Sequence, residues 1–114
     1  MSLGIVSLPI GPELAQEIGL PANYGVLVIR VVPGGAADKA GLKGGNERAY
    51  LGATPIMIGG DLIVAIDNDS IGDQQDLANV MNKHRSGDRV FVTIYRGRRK
   101  MNVPVILGEA RDRA

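Results

Sequence analysis

The chain has no cysteine and no tryptophan, only one phenylalanine and three tyrosines, and a single histidine among its 114 residues. Without cysteine there are no disulfides and no thiolate metal site, and that usage fits the cytosol and an extracytoplasmic compartment alike. Scarce aromatics mean an aliphatic core, built from Val, Ile, Leu and Met. One imidazole, His84, leaves nucleophilic catalysis with one candidate base. Charge of one sign is not in excess: a formal net charge of +1 gives no general attraction to nucleic acid or to an anionic membrane surface. No stretch of the chain reads as a signal peptide or is apolar for long enough to span a bilayer, so direct membrane insertion is not expected.

What is present fits one small folded domain. The length allows a single core, and 16 glycines with 6 prolines imply many turns and few long helices. Gly11-Pro12-Glu13 opens a short helix that Gly19 closes, because Pro suits the first helical position, Glu favours the helix dipole and Gly ends the turn. Gly25 to Val32 is a near-continuous β-branched run, the pattern of a strand covered on both faces, and Pro33-Gly34-Gly35 stops it. Ala36 to Ala40 makes a small helix capped by Gly41. Asp61 to Asp67 and Ser70-Ile71 are two short strands around a turn at Asn68-Asp69. Asp73 to His84 carries Leu77, Val80, Met81 and His84 at i, i+3, i+4 and i+7, which predicts an amphipathic helix before Gly87. Arg89 to Tyr95 and Lys100 to Leu107 form a closing hairpin.

Catalytic and metal chemistry find little support in these residues. His84 sits at the end of an amphipathic helix, where a packed or half-exposed imidazole is the ordinary reading. Ser7, Ser70 and Ser86 lie in strand or turn contexts, none in a nucleophile elbow. Asp67-Asn68-Asp69 lacks the Gly and the distal Glu of a calcium loop. The Arg96-Gly97-Arg98-Arg99-Lys100 cluster is the only basic patch, has no aromatic platform beyond Tyr95, and reads as a solvated hairpin tip. No catalytic residue, metal ligand or cofactor is expected, and no nucleic acid partner.

The positive pattern lies in two distant stretches. Leu3-Gly4-Ile5-Val6-Ser7-Leu8 places a Gly between aliphatics directly before an alternating segment, the mark of a kinked loop running into a strand. Ala40-Gly41-Leu42 is followed later by Gly60-Asp61-Leu62-Ile63. Taken in order, the Leu-Gly-Ile strand, the Ala-Gly-Leu turn, the Gly-Asp-x-Ile strand, the helix, the Gly87-Asp88 turn and the last hairpin resemble a PDZ domain. The likeness is to the circularly permuted bacterial type carried by HtrA/Deg-family trypsin-like serine proteases.

That resemblance implies a mainly β fold with two short helices, a partly open antiparallel barrel or sandwich of five or six strands. It places the PDZ domain at residues 3–107, with residues 108–114 as a tail or linker and residues 1–2 as a cloning remnant. Residues 43–59 depart from the family pattern as an insertion. Its Tyr50-Leu51 and Ile56-Met57-Ile58 segments suggest an excursion that packs back on the body, either as decoration or as a second contact surface.

The resemblance also implies a site. A guest polypeptide would add as an antiparallel strand along Ile5, Val6 and Ser7, its terminal carboxylate held by backbone N–H groups at Leu3, Gly4 and Ile5. Its last side chain would enter a pocket of Leu3, Ile5, Leu77, Val80 and Met81, although taken alone each of these reads as core packing, and only the match to the whole pattern favours a pocket. One buried aliphatic side chain contributes about 1.5–3 kcal/mol. A few main-chain hydrogen bonds add on the order of 1 kcal/mol each. After the costs of association the contact is micromolar, roughly −8 kcal/mol. By resemblance the chain is a non-catalytic part of a longer periplasmic or extracytoplasmic serine endopeptidase, a homo-oligomer. There it would bind unfolded polypeptides or their C-termini and contact the protease domain. The alternative is a scaffold module of another bacterial envelope protease or a secretion component.

Overall fold

A computed structural model describes residues 3–108. The expected remnant at 1–2, and all of the expected tail but Gly108, lie outside the described residues.

Among the described residues, eight strands and three short helices follow one another as β1 (Ile5–Ile10), α1 (Pro12–Ile18), β2 (Gly25–Val31), α2 (Ala36–Ala40), β3 (Glu47–Leu51), β4 (Thr54–Ile58), β5 (Leu62–Ile66), β6 (Asp69–Ser70), α3 (Gln74–Met81), β7 (Arg89–Arg96) and β8 (Arg99–Ile106). The main sheet runs β1-β2-β5-β7-β8, with β6 paired to β5, and all its pairings are antiparallel. It is an open six-stranded sheet, so β1 and β8 are its edges. The expected mainly β class holds as an open sheet rather than a closed barrel, and the helices are three, each where the sequence marks one, where the resemblance implies two.

The sheet separates two apolar layers. Val26, Val28, Ile63, Ile66, Val92 and Ile94 face one layer together with Ala36 and Ala37 of α2 and Val80 and Met81 of α3. Leu27, Leu62 and Val64 face the other, covered by Ala15 of α1 and Ile10. Alternate residues of β2 and β5 thus go to opposite cores, which is why these strands read as unbroken apolar runs. In β7 Val90, Val92 and Ile94 are buried in the first layer and Tyr95 packs partly against the second, while Arg89 and Phe91 are exposed.

Two expectations need correction. The helix expected from Asp73 to His84 spans Gln74–Met81: Asp73 caps it by accepting from the Asp76 N–H at 2.9 Å, and Asn82 ends it. Beyond it, the Lys83 and His84 N–H groups bond to the carbonyls of Val80 and Met81, a tightening to three-residue turns that carries His84 off the helix. Residues 43–59, expected as an insertion, contain the β3–β4 ribbon, and only its base packs back on the body. Gly45 N donates to the Ile29 carbonyl, and a Cβ on Gly60 would lie 2.2 Å from the Val28 carbonyl oxygen, so glycines let the base press on β2. At the tip Tyr50 remains 62% exposed and Leu51 is exposed too, because nothing in the body rises to meet them.

Candidate functional site

The candidate site lies along the outer side of β1. Among the described residues the strand pairs only with β2, from Ile5 opposite Val31 to Ile10 opposite Gly25, with a bulge between Val6 and Ser7. An unpaired strand edge of this kind can accept another strand. Gly4, at φ 74, turns the chain into β1; its carbonyl accepts from Val32 N at 2.8 Å, and a Cβ there would stand 3.3 Å from the Gly35 Cα. Leu3 joins the loop to α2 through its carbonyl, which accepts from Ala37 N at 2.8 Å. Glycine at position 4 is required both by the left-handed φ and by the close approach to Gly35.

The α3 helix flanks this edge. Gln74, in its first turn, donates from Nε2 to the Ser7 carbonyl at 2.9 Å and to Ser7 Oγ at 3.0 Å. One turn further on, Leu77 is partly buried against the core cluster that Ile5 also borders. The residues expected to line a pocket divide accordingly. Ile5 and Leu77 are partly exposed, at the margin between β1 and α3, whereas Leu3 (3%), Val80 (3%) and Met81 (7%) are buried in the core. Val6 points to the opposite, exposed face beside Arg30.

Sequence reasoning missed the buried ion pair at the entry to β5. Asp61 is 1% exposed, and its carboxylate accepts from Arg96 Nε at 2.9 Å and Nη2 at 2.8 Å, and from Lys43 N at 2.9 Å. Arg96 Nη2 also reaches the Gly41 carbonyl at 3.0 Å. The Asp61 hydrogen bond, more than the charge attraction, raises the Arg96 guanidinium pKa above its ordinary value, against the opposing effect of burial. Arg96 is therefore not part of a solvated tip, as its basic neighbours suggest. The tip is the two-residue turn Gly97-Arg98, and Arg96 precedes it at the end of β7. The available signal was Asp61 itself, a carboxylate leading into a fully apolar strand.

Across the described residues no three or more His, Cys, Asp or Glu side chains group as metal ligands. His84 Nδ1 lies 2.8 Å from the Val80 carbonyl, and its Nε2 is 3.8 Å from Asp67 Oδ2, a structural setting with no nucleophile in it.

The sequence pattern of the family described as PDZ domain matches residues 8–107. The chain belongs to the PDZ domain family. It is thus a non-catalytic module. The match starts after Leu3-Gly4-Ile5, so the loop that would hold a carboxylate stands outside it. Over 109 residues this PDZ domain is 29% identical to a probable periplasmic serine endoprotease DegP-like from Marinomonas sp. (strain MWYL1), covering 96% of the chain and 20% of that relative. Protease Do-like 1, chloroplastic, from Arabidopsis thaliana is 30% identical over 104 residues, covering 90% of the chain and 22% of the relative. The chain therefore spans about a fifth of the length of these relatives. Among solved structures, an HtrA-type protease AlgW with decapeptide superposes with a TM-score of 0.69 at 25% identity, over 94% of this chain and 28% of that one. The HtrA3 PDZ domain bound to a phage-derived ligand shares the fold, with a TM-score of 0.68 at 19% identity, over 92% of this chain and 82% of that one.

Proposed function

We propose that this PDZ domain binds extended polypeptide segments ending in a free carboxylate, by strand addition to Ile5, Val6 and Ser7. The observation that carries the reading is the open edge of β1 lying beside α3, with Ile5 and Leu77 partly exposed between them. The terminal carboxylate sits at the turn Leu3-Gly4-Ile5, where the chain doubles back against Gly35. The last side chain packs on Ile5 and Leu77, above the floor that Leu3, Val80 and Met81 provide. Peptide ligands named with the similar HtrA-type structures support this reading.

The larger protein is a serine endopeptidase of the HtrA type, in which this domain recruits unfolded or C-terminally exposed chains and contacts the protease domain of a homo-oligomer. Its location is periplasmic or otherwise extracytoplasmic, supported by the names of the bacterial relatives, with a chloroplast protein also among them. The reading is tested by titrating the ¹⁵N-labelled domain with a peptide ending in a free valine. Amide shifts should concentrate at residues 3–8 and 74–81. Shifts centred on the β3–β4 ribbon would favour a scaffold surface instead.

A further inference from the structure

The guest edge of β1 already has an occupant. The bond from Val32 N to the Gly4 carbonyl flanks the antiparallel pair Ile5–Val31, which makes that pair a non-hydrogen-bonded one of the ladder. The Ile5 carbonyl therefore faces outward. The Ser7 carbonyl also points outward, because it accepts from Gln74 Nε2 on α3 at 2.9 Å. The same carboxamide meets the Ser7 hydroxyl twice, as donor to Oγ at 3.0 Å and as acceptor from it, through Oε1, at 3.2 Å. This clasp spans 67 positions of sequence and bridges the groove from one wall to the other. Gln74 is held in place by the cap below it: Asp73 accepts from Asp76 N at 2.9 Å, and Asp76 in turn accepts from Gly72 N at 2.8 Å.

We propose that Gln74 is a built-in substitute for the guest strand, so that every peptide enters this groove by displacing the Gln74–Ser7 clasp. The proposal rests on strand addition at β1 and adds a restraint on it. A guest whose last residue donates to the Ile5 carbonyl directs the N–H of its third residue from the end at the Ser7 carbonyl, the acceptor that Gln74 holds. The apparent affinity is then the intrinsic one reduced by the fraction of molecules in which the clasp is open. An exposed carboxamide is easily moved, which keeps the clasp reversible.

The test uses a ten-residue peptide ending in Ala-Ala-Val with a free carboxylate; alanine in the third place from the end offers Gln74 no side-chain partner. Gln74→Met keeps the length of the side chain and removes its donor and acceptor, and Gln74→Ala serves as a second variant should methionine occupy the groove itself. Binding is measured by calorimetry, with thermal unfolding to show that each variant is folded. Losing one or two modest hydrogen bonds on the closed side predicts binding tighter by about three- to tenfold in either Gln74 variant. Ser7→Ala removes only the hydroxyl and should give a smaller gain. The Gln74→Met/Ser7→Ala double variant should bind no tighter than Gln74→Met alone, because the two residues act as one unit. Unchanged or weaker binding by both Gln74 variants, with the wild type binding, overturns the clasp and leaves the groove standing. No binding by the wild type or either variant overturns both, whereas binding by the Gln74 variants alone supports both.

Discussion

Arg96 closes on the buried Asp61 carboxylate with two nearly parallel hydrogen bonds of 2.9 and 2.8 Å, and a third from its Nη2 reaches the Gly41 carbonyl at the end of α2. The pair therefore ties together the end of β7, the entry to β5 and the helix whose Ala37 N–H holds Leu3. Arg96→Ala leaves the carboxylate buried with only Lys43 N for a partner. Arg96 is itself about one-third exposed, so water can enter once it is gone and the loss falls below that of a fully buried pair. The expected destabilisation is about 2–3 kcal/mol. Arg96→Lys should fall between, since an ammonium cannot reproduce the two-pronged contact. Urea unfolding of the three proteins measures this, and equal stabilities would show the pair to be dispensable.

Two glycines should respond to alanine by different amounts and for different reasons. At Gly60 the added Cβ would fall 2.2 Å from the Val28 carbonyl oxygen and 2.7 Å from the Gly44 carbonyl carbon, both backbone atoms that cannot step aside. At Gly87, with φ 95, a Cβ meets nothing within 4 Å and only the left-handed backbone resists. Gly87→Ala should cost about 1–2 kcal/mol. Gly60→Ala should cost more, on the order of 3 kcal/mol or above, as an overpacked site that only backbone movement can relieve. Denaturation midpoints give the order, and a smaller effect at Gly60 would contradict the tight seating of the ribbon base on β2.

Leu77 and Met81, one helical turn apart, should separate binding from folding. Leu77→Arg places a charge at the margin of the groove, so peptide binding weakens at least tenfold while the domain stays folded. Met81→Ala opens a cavity in the core and should cost about 2–5 kcal/mol of stability. Calorimetry and urea unfolding on both variants decide it; an unfolded Leu77→Arg together with a stable Met81→Ala would reverse the two assignments.

The exposed tip of the β3–β4 ribbon is expected to be irrelevant to the groove. Replacing Tyr50 to Pro55 by a Gly-containing turn removes the tip and keeps Gly44, Gly45 and Gly60 seated on β2. Peptide affinity should stay within twofold. A larger loss would make the ribbon part of the binding site.

The parts legible in the sequence were those written in neighbouring residues. The apolar runs of β2 and β5 announced strands covered on both faces, and Pro12, Gly19 and Gly41 marked helix ends that the structure places at or beside those positions. The family order of elements also came through, because each carries its own short signature. The end of α3 was harder: Val80, Met81 and His84 keep helical spacing, yet the chain leaves the helix at Asn82 with no glycine to signal it. Long-range polar pairs left no local trace. Asp61 and Arg96 lie 35 positions apart, and Arg96 is hidden in a basic run; Ser7 and Gln74 lie 67 apart. Ile5 and Leu77 could be nominated by analogy, but sequence could not say that Val80 and Met81 are core while those two reach the surface.

On the proposed function, the turn at Leu3-Gly4-Ile5 receives the terminal carboxylate of a guest strand. Calorimetric titration of one peptide in two forms, ending in a free carboxylate or in an amide, tests it most directly. A hydrogen-bonded carboxylate is worth at least about 1.5 kcal/mol over its neutral counterpart, so the acid should bind in the micromolar range and the amide roughly tenfold or more weakly. Equal affinities of the two forms would contradict the claim and leave only recognition of internal strands at β1.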